Sequence, residues 1–277
     1  MRYPFLRYPG FRSKAVTLSY DDGVVYDRKL IEIMSDNGLK GTFNINSGLF
    51  AARSGGRRLT AEEAIALYTS TGNEAAVHGY RHLSLAEVDP AMAANDVLSD
   101  RIQLEKMLGG PVRGMAYANG SYSDSVVEIL RTCGIVYSRT TVSTEKFDLP
   151  NDWLRLPATC HHNNPRLMEL ARQFIEAPDG RYFWSQVPRL FYLWGHSYEF
   201  NDNDNWHIIE EFASYIGNRD DVWYATNMEI YDYVKAYEAL QFAADGSFAY
   251  NPGIQDLYIC YMGKEHIIPS GRVVSLQ

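Results

Sequence analysis

Strand-length apolar runs alternate with amphipathic helical runs through most of this chain, and that alternation limits the fold more than any other feature. Residues 15–20 form a β-prone run that stops at Asp21-Asp22-Gly23, a strong turn signal. Residues 27–37 follow as a helix, with Leu30, Ile31 and Met34 on one face and Gly38 as its stop. The next strand falls at 41–46. Thr60 and Glu63 have capping-box spacing and predict a helix that runs on to Ser70. The alternation continues as strand 74–77, helix 89–108 ended by Gly109-Gly110, strand 114–118, helix 123–133 and strand 135–138. Later come strand 191–194, helix 206–217, strand 222–225 and helix 228–240. Such a series argues for βαβ units on a parallel sheet, and so many units favour a closed or nearly closed barrel. From 248 to 274 the pattern changes to short β-prone runs broken by Gly and Pro, at 257–261, 266–268 and 272–276. The expected organisation is an α/β chain: a distorted (β/α) barrel over residues 1–245 and a small β appendage over 246–277.

Composition narrows the function classes. The 277 residues carry 26 Lys+Arg and 34 Asp+Glu, a net charge of −8, with 46% hydrophobic residues and a mean hydropathy of −0.29. That is ample core for a globular protein and excludes disorder and collagen-like structure. An acidic chain without a basic run argues against nucleic acid or an anionic membrane as partner. No apolar run reaches the ~18 residues of a membrane span. The start has no apolar h-region, and Cys133, Cys160 and Cys260 form no C-x-x-C pair. The expected compartment is the cytoplasm, or the exterior if a leader has been removed. The 20 tyrosines hint at a surface for ring-faced ligands, although core and edge packing explains them equally well.

In α/β barrels the chemistry gathers at the C-terminal strand ends. After the first predicted strand stand Asp21 and Asp22, and after the third His78-Gly-Tyr-Arg-His82. After the fourth stand Tyr117-Ala-Asn119-Gly120, and after a late strand His196-Ser-Tyr198-Glu199. Two adjacent carboxylates repel unless a cation or a proton separates their roles: one can hold metal while the other works as a base. His78 and His82, four apart on a helical turn, share a face. With a carboxylate they make a three-ligand divalent-metal site with positions open for water. His196, with an ordinary pKa near neutrality, is a candidate general acid.

In this order the residues resemble the polysaccharide deacetylase (NodB-homology) family, carbohydrate esterase family 4. Thr17-Leu-Ser-Tyr-Asp21-Asp22-Gly23 is similar to its T-F-D-D-G motif with one extra residue, and His78-Gly-Tyr-Arg-His82 to its H-S/T-x-x-H motif. Met115-Ala-Tyr-Ala-Asn-Gly120 resembles the R-P-P-Y-G motif and Leu193-Trp-Gly-His196 the L-x-x-H motif. The resemblance implies a barrel hydrolase that removes acetyl groups from a carbohydrate. It implies a divalent metal, zinc first, with cobalt, nickel, manganese or iron as alternatives. Asp22, His78 and His82 would be the ligands, Asp21 the base, His196 the acid and the Asn119 backbone N–H an oxyanion donor. Tyr117, Trp153, Trp194 and Tyr198 are the substrate-facing candidates.

Departures accompany the match. The family's base-orienting Arg aligns with Ala116, and Arg139 is a candidate replacement. Gly79 replaces the hydroxyl residue of the second motif, Asp152-Trp153 is a candidate for the fourth, and Cys160-His161-His162 matches nothing. Hydrolysis of a small amide or imide on the same fold is the alternative activity, and a non-catalytic carbohydrate-binding relative the second alternative. Oligomeric state is not legible in the sequence.

Overall fold

The computed structural model describes residue 3, residues 5–178 and residues 187–277. Its elements run β1 (Leu6–Arg7), β2 (Lys14–Asp21), α1 (Asp27–Asp36), β3 (Gly41–Ile45), α2 (Ala61–Thr69), β4 (Glu74–Val77), α3 (Pro90–Leu108), β5 (Gly114–Ala116), α4 (Asp124–Thr132), β6 (Tyr137–Ser143), β7 (Leu156–Ala158) and β8 (Cys160–His161). They continue with α5 (Leu167–Glu176), β9 (Arg189–Gly195), α6 (Ser197–Asp202), α7 (His207–Ile216), β10 (Val222–Tyr224), α8 (Asn227–Glu238) and five short strands, β11 (Gln241–Phe242), β12 (Phe248–Tyr250), β13 (Leu257–Tyr261), β14 (Lys264–Ile268) and β15 (Val273–Ser275).

The main sheet is parallel, in the order β7-β6-β5-β4-β3-β2-β9-β8. β7 and β8 are one stretch of chain parted only at Thr159; the first pairs with β6 and the second with β9, so together they close the sheet into a barrel. β10 pairs with the start of β2, beside the segment that pairs with β3. All eight residues of β2 are buried, as expected of a strand flanked on both edges inside a helix layer.

Local chemistry explains the element ends. Thr60 and Glu63 make both bonds of the capping box that opens α2. Asp89 caps α3, Pro90 starts it, and Gly109, at φ 72°, ends it. β5 stops at Ala116, two residues short of expectation, because Asn119 turns left-handed at φ 56°. The strand expected at 135–138 starts later and runs longer, as β6. Helices α5 and α6 have no counterpart in the sequence reading. α5 hides Leu167, Leu170, Ala171 and Phe174 on one face, a period-3.6 stripe.

The C-terminal strands form two small antiparallel sheets, β1-β13-β14 and β11-β12-β15. Leu6 and Arg7 pair with Ile259 and Tyr258, so the start of the chain completes the tail. A hydrophobic cluster of Tyr8, Ile230, Tyr233, Leu257, Ile259 and Ile268 joins both to α8. Among the described residues no helix is long and apolar enough to cross a membrane.

Candidate active site

β2 ends on Asp21, and the chain then turns left-handed through Asp22, at φ 85°. The Asp22 N–H donates to the Asn44 carbonyl of neighbouring β3 at 2.9 Å, which holds that turn. His82 and Asn119 are also left-handed, at φ 59° and 56°. Three of the residues singled out from sequence therefore share a conformation that costs a side-chain-bearing residue free energy and concentrates at functional sites.

Asp22, His78 and His82 offer ligand atoms that all lie within 4.8 Å of one another. The His78 ring is buried and its Nδ1–H donates to the Ala116 carbonyl at 2.9 Å. That bond leaves the lone pair on Nε2, the atom turned toward the aspartates. Burial pushes the His78 pKa below its ordinary value, although Asp21 and Asp22 pull the other way, so the ring stays neutral as a ligand must be. His82 Nε2 lies 3.6 Å from Oδ1 of Asp22. Two imidazoles and a carboxylate, one imidazole with its tautomer fixed, form a donor set that fits a divalent ion.

Helix α3 braces this ligand loop with two buried acids. Asp100 accepts from the His78 N–H at 3.0 Å and from the Ser47 N–H and hydroxyl. Asp96 accepts from the Arg81 N–H at 3.1 Å and from Arg81 Nε. Gly79 makes room for it: at φ 84°, a Cβ there would lie 2.7 Å from Oδ2 of Asp96. The space a side chain at position 79 would need is thus taken by an acid from a helix. The signal was in the sequence, because Asp96 and Asp100 fall on the same stripe as Ala93, Val97 and Leu104.

Asp21 stands between the ligand cluster and His196. Its Oδ2 is 3.8 Å from His78 Nε2 and 3.9 Å from His196 Nε2. Arg139, fully buried in β6, pairs with Oδ2, and Asn44 donates to Oδ1 at 2.8 Å. Burial would raise the Asp21 pKa, but Arg139, His78 and His196 together hold it down at about 2. The Arg139 guanidinium also lies over the Trp194 ring, 4.4 Å from its centroid.

His196 follows β9 directly, and its Nδ1 is 2.8 Å from Oε1 of Glu199. Burial lowers its pKa, but Glu199, Asp21 and Asp22 outweigh that and raise it above the ordinary value. Asp27 ties this side to the aspartate turn. Buried at the start of α1, it accepts from Val24 N–H, from the Tyr68 hydroxyl and from the hydroxyl of Ser197, next to His196. Arg58 donates to the Asp22 carbonyl and lies 3.4 Å from its Oδ1, a contact the sequence reading did not include.

The expected substrate-facing residues divide. Tyr198 is partly exposed, its ring 5.1 Å from that of His196 and 4.6 Å from the Arg57 guanidinium. Trp194 is almost covered, between Arg139 and the edge of His161. Tyr117, 1% exposed, spends its hydroxyl on the Leu154 carbonyl, and Trp153, 6% exposed, packs on Tyr231. These two side chains leave almost no surface for a substrate. Asp152 pairs with Arg155 and caps a short turn, with no bond to His196.

Residues 9–138 match the family described as Polysaccharide deacetylase. No curated protein matches the chain. Among solved structures, a Mycobacterium smegmatis protein assigned as a polysaccharide deacetylase aligns with a TM-score of 0.60 at 18% identity, over 84% of this chain and 94% of its own. The Streptococcus pyogenes deacetylase PplD, in complex with acetate, aligns at a TM-score of 0.46 and 21% identity over 50% of this chain. The match spans 61% of that deacetylase's length, under two thirds of it. A wild-type family 4 pseudoenzyme from Bacillus anthracis aligns at 0.48 and 14% identity, over 80% of this chain and 66% of its own. Likeness at these identities establishes the fold alone.

Proposed function

From the match of residues 9–138 to the polysaccharide deacetylase family, we propose that the protein is a metal-dependent hydrolase removing an acetyl group from a carbohydrate. The observation that carries the reading is the position of Asp21, under 4 Å both from a ligand of the candidate metal cluster and from a histidine able to deliver a proton. Asp22, His78 and His82 would hold the ion, and zinc suits two imidazoles and a carboxylate best. When bound, it supplies a Lewis acid for the acetyl carbonyl and acidity for the attacking water.

The chain's own groups supply the rest. Asp21, kept ionised by Arg139, takes the proton of the attacking water at Oδ2 or Oδ1. Arg139 orients that carboxylate from β6, in place of the arginine the family carries near Ala116. The Asn119 N–H, on its left-handed turn, donates to the oxyanion as the carbonyl becomes tetrahedral. His196 delivers a proton from Nε2 to the departing nitrogen or oxygen, and Glu199 holds its Nδ1. Tyr198 offers a ring beside His196 against which a sugar can lie.

The test is acetate release from acetylated chito-oligosaccharides and acetyl-xylan. Release should stop with a chelator and return with zinc, and Asp21→Asn should lower kcat by about 10²–10⁴-fold with metal retained. No release from either substrate with metal present would sink the reading. Hydrolysis of a cyclic amide or imide instead would move the substrate class.

A further inference from the structure

The His161-His162 pair, which matched no motif, lies against Glu199. The Glu199 carboxylate is the meeting point of four nitrogens. Oε1 takes His196 Nδ1 at 2.8 Å. Oε2 accepts from Asn163 Nδ2 at 2.7 Å and has His161 Nε2 at 3.5 Å. His162 Nε2 lies 2.9 Å from the same oxygen, in a bent approach that falls short of a full hydrogen bond. We infer that Asn163 and His162 are positioning residues for the acid: by fixing Oε2 of Glu199 they aim Oε1 at His196 and so set which nitrogen of His196 carries the transferable proton. The inference rests on the reading of His196 as the acid.

The physical argument runs through the tautomer. An ionised carboxylate only accepts, so the His196 nitrogen facing it must be Nδ1–H. The proton that comes and goes is then on Nε2, the nitrogen facing Asp21. A carboxylate bound at one oxygen alone could rotate and release that choice. His162 cannot swing away: its ring is fully buried, stacked on Tyr20 at 5.7 Å and against Phe200 at 4.1 Å. It also fills the space over Gly195, where a Cβ would come within 2.1 Å of its Nδ1. That explains the glycine immediately before His196.

The same atoms admit a rival use, because His161, His196 and Glu199 lie close enough to share a cation. One bond opposes it. The Asn163 N–H donates to His161 Nδ1 at 3.1 Å, so the neutral ring carries its own proton on Nε2, the nitrogen facing Glu199. Burial, more than the neighbouring His162, lowers the His161 pKa to about 4, so near neutral pH the ring is in that neutral form.

The experiment reads the His196 ring by nitrogen NMR on the substrate-free protein, together with kcat and KM of the zinc-loaded enzyme. His162→Phe keeps the stacked ring and removes both nitrogens, whereas Asn163→Ala removes the other clamp from a more exposed position. Each variant should convert His196 from one tautomer to a mixture and lower kcat by roughly tenfold, within the 10²–10⁴-fold that a whole acid contributes, with KM little changed. Glu199→Gln should reproduce the effect. A His196 spectrum unchanged in Asn163→Ala and in any folded His162→Phe would overturn the inference. So would a second bound zinc that His161→Ala removes. A wild-type enzyme that releases no acetate, or a His196→Ala variant with full kcat, would refute the acid reading and leave the NMR result standing.

Discussion

The two sides of this site are built differently. On the side proposed to hold a metal, His78 and His82 come from one five-residue turn, and Asp22 from the end of the adjacent-but-one strand. Their supports are fully buried acids, Asp96 and Asp100, on the solvent-shielded stripe of one long helix. On the side proposed to deliver a proton, the Glu199 carboxylate beside His196 still meets solvent and gathers His161, His162 and Asn163, 33 to 35 residues before His196 in the chain. Arg139 is the join: it pairs with Asp21 and covers Trp194. A ligand cluster must resist rearrangement as it exchanges water, and buried hydrogen bonds from one rigid helix give that. A proton donor must exchange with solvent, and a rim carboxylate gives that.

The most severe way to break the comparison is to remove the join. Arg139→Met leaves the Asp21 carboxylate buried and unpaired, which should cost about 3–5 kcal/mol in denaturant unfolding. Adding Asp21→Asn should recover part of the loss, because the stranded charge is then gone. A single Arg139→Met as stable as the wild type would mean that the pair is not the hinge between the halves.

The ligand side alone is probed by Asp100→Asn. The amide cannot accept from Ser47 and His78 at both oxygens, so the His78 backbone should loosen. Zinc affinity, measured by competition with a chromophoric chelator, should fall by about 10–100-fold, as for other groups behind metal ligands. The His196 NMR signature should stay as in the wild type. Loss of both would merge the two sides into one unit.

The smallest expected effect concerns Asp27, which ties α1 to the residue after His196. Burial, more than its neighbours, raises its pKa to about 7, although bonds from Ser197, Tyr68 and Val24 oppose the rise. A carboxyl raised in the folded state favours the fold while it stays protonated. Its contribution is therefore complete below its unfolded value of about 4 and is lost as pH rises through 7. Asp100, also raised to about 7 by burial, adds to the same slope. Asp27→Asn should flatten the fall in thermal stability between pH 4 and 7 without abolishing it, as followed by circular dichroism. An unaltered slope would show that Asp27 folds ionised.

Much of this was legible in the sequence. The strand ends delivering Asp21, Asp22, His78, His82 and His196 follow from periodicity and turn chemistry, which are local, and the barrel follows from counting those units. Helix α5 was legible in principle, since its apolar face has the right period, but nothing marked its start: Arg166 precedes it without a side-chain cap. Tyr117, taken from its place after a strand, and Trp153, taken from a motif resemblance, mark a limit: neither says which way a side chain points, and both turn into the core.

What the sequence determined by itself, then, was the order of the chemistry along the chain and the architecture able to gather it. The tertiary structure decided the partners. That Arg139 meets Asp21 across 118 positions, that Asp96 takes up the space of Gly79's absent side chain, and that His162 packs over Gly195 against Glu199 all depend on which strand ends become neighbours. Hydrogen bonds and ion pairs act over a few ångströms, and a sequence records distance along the chain, so only closure of the barrel could set them.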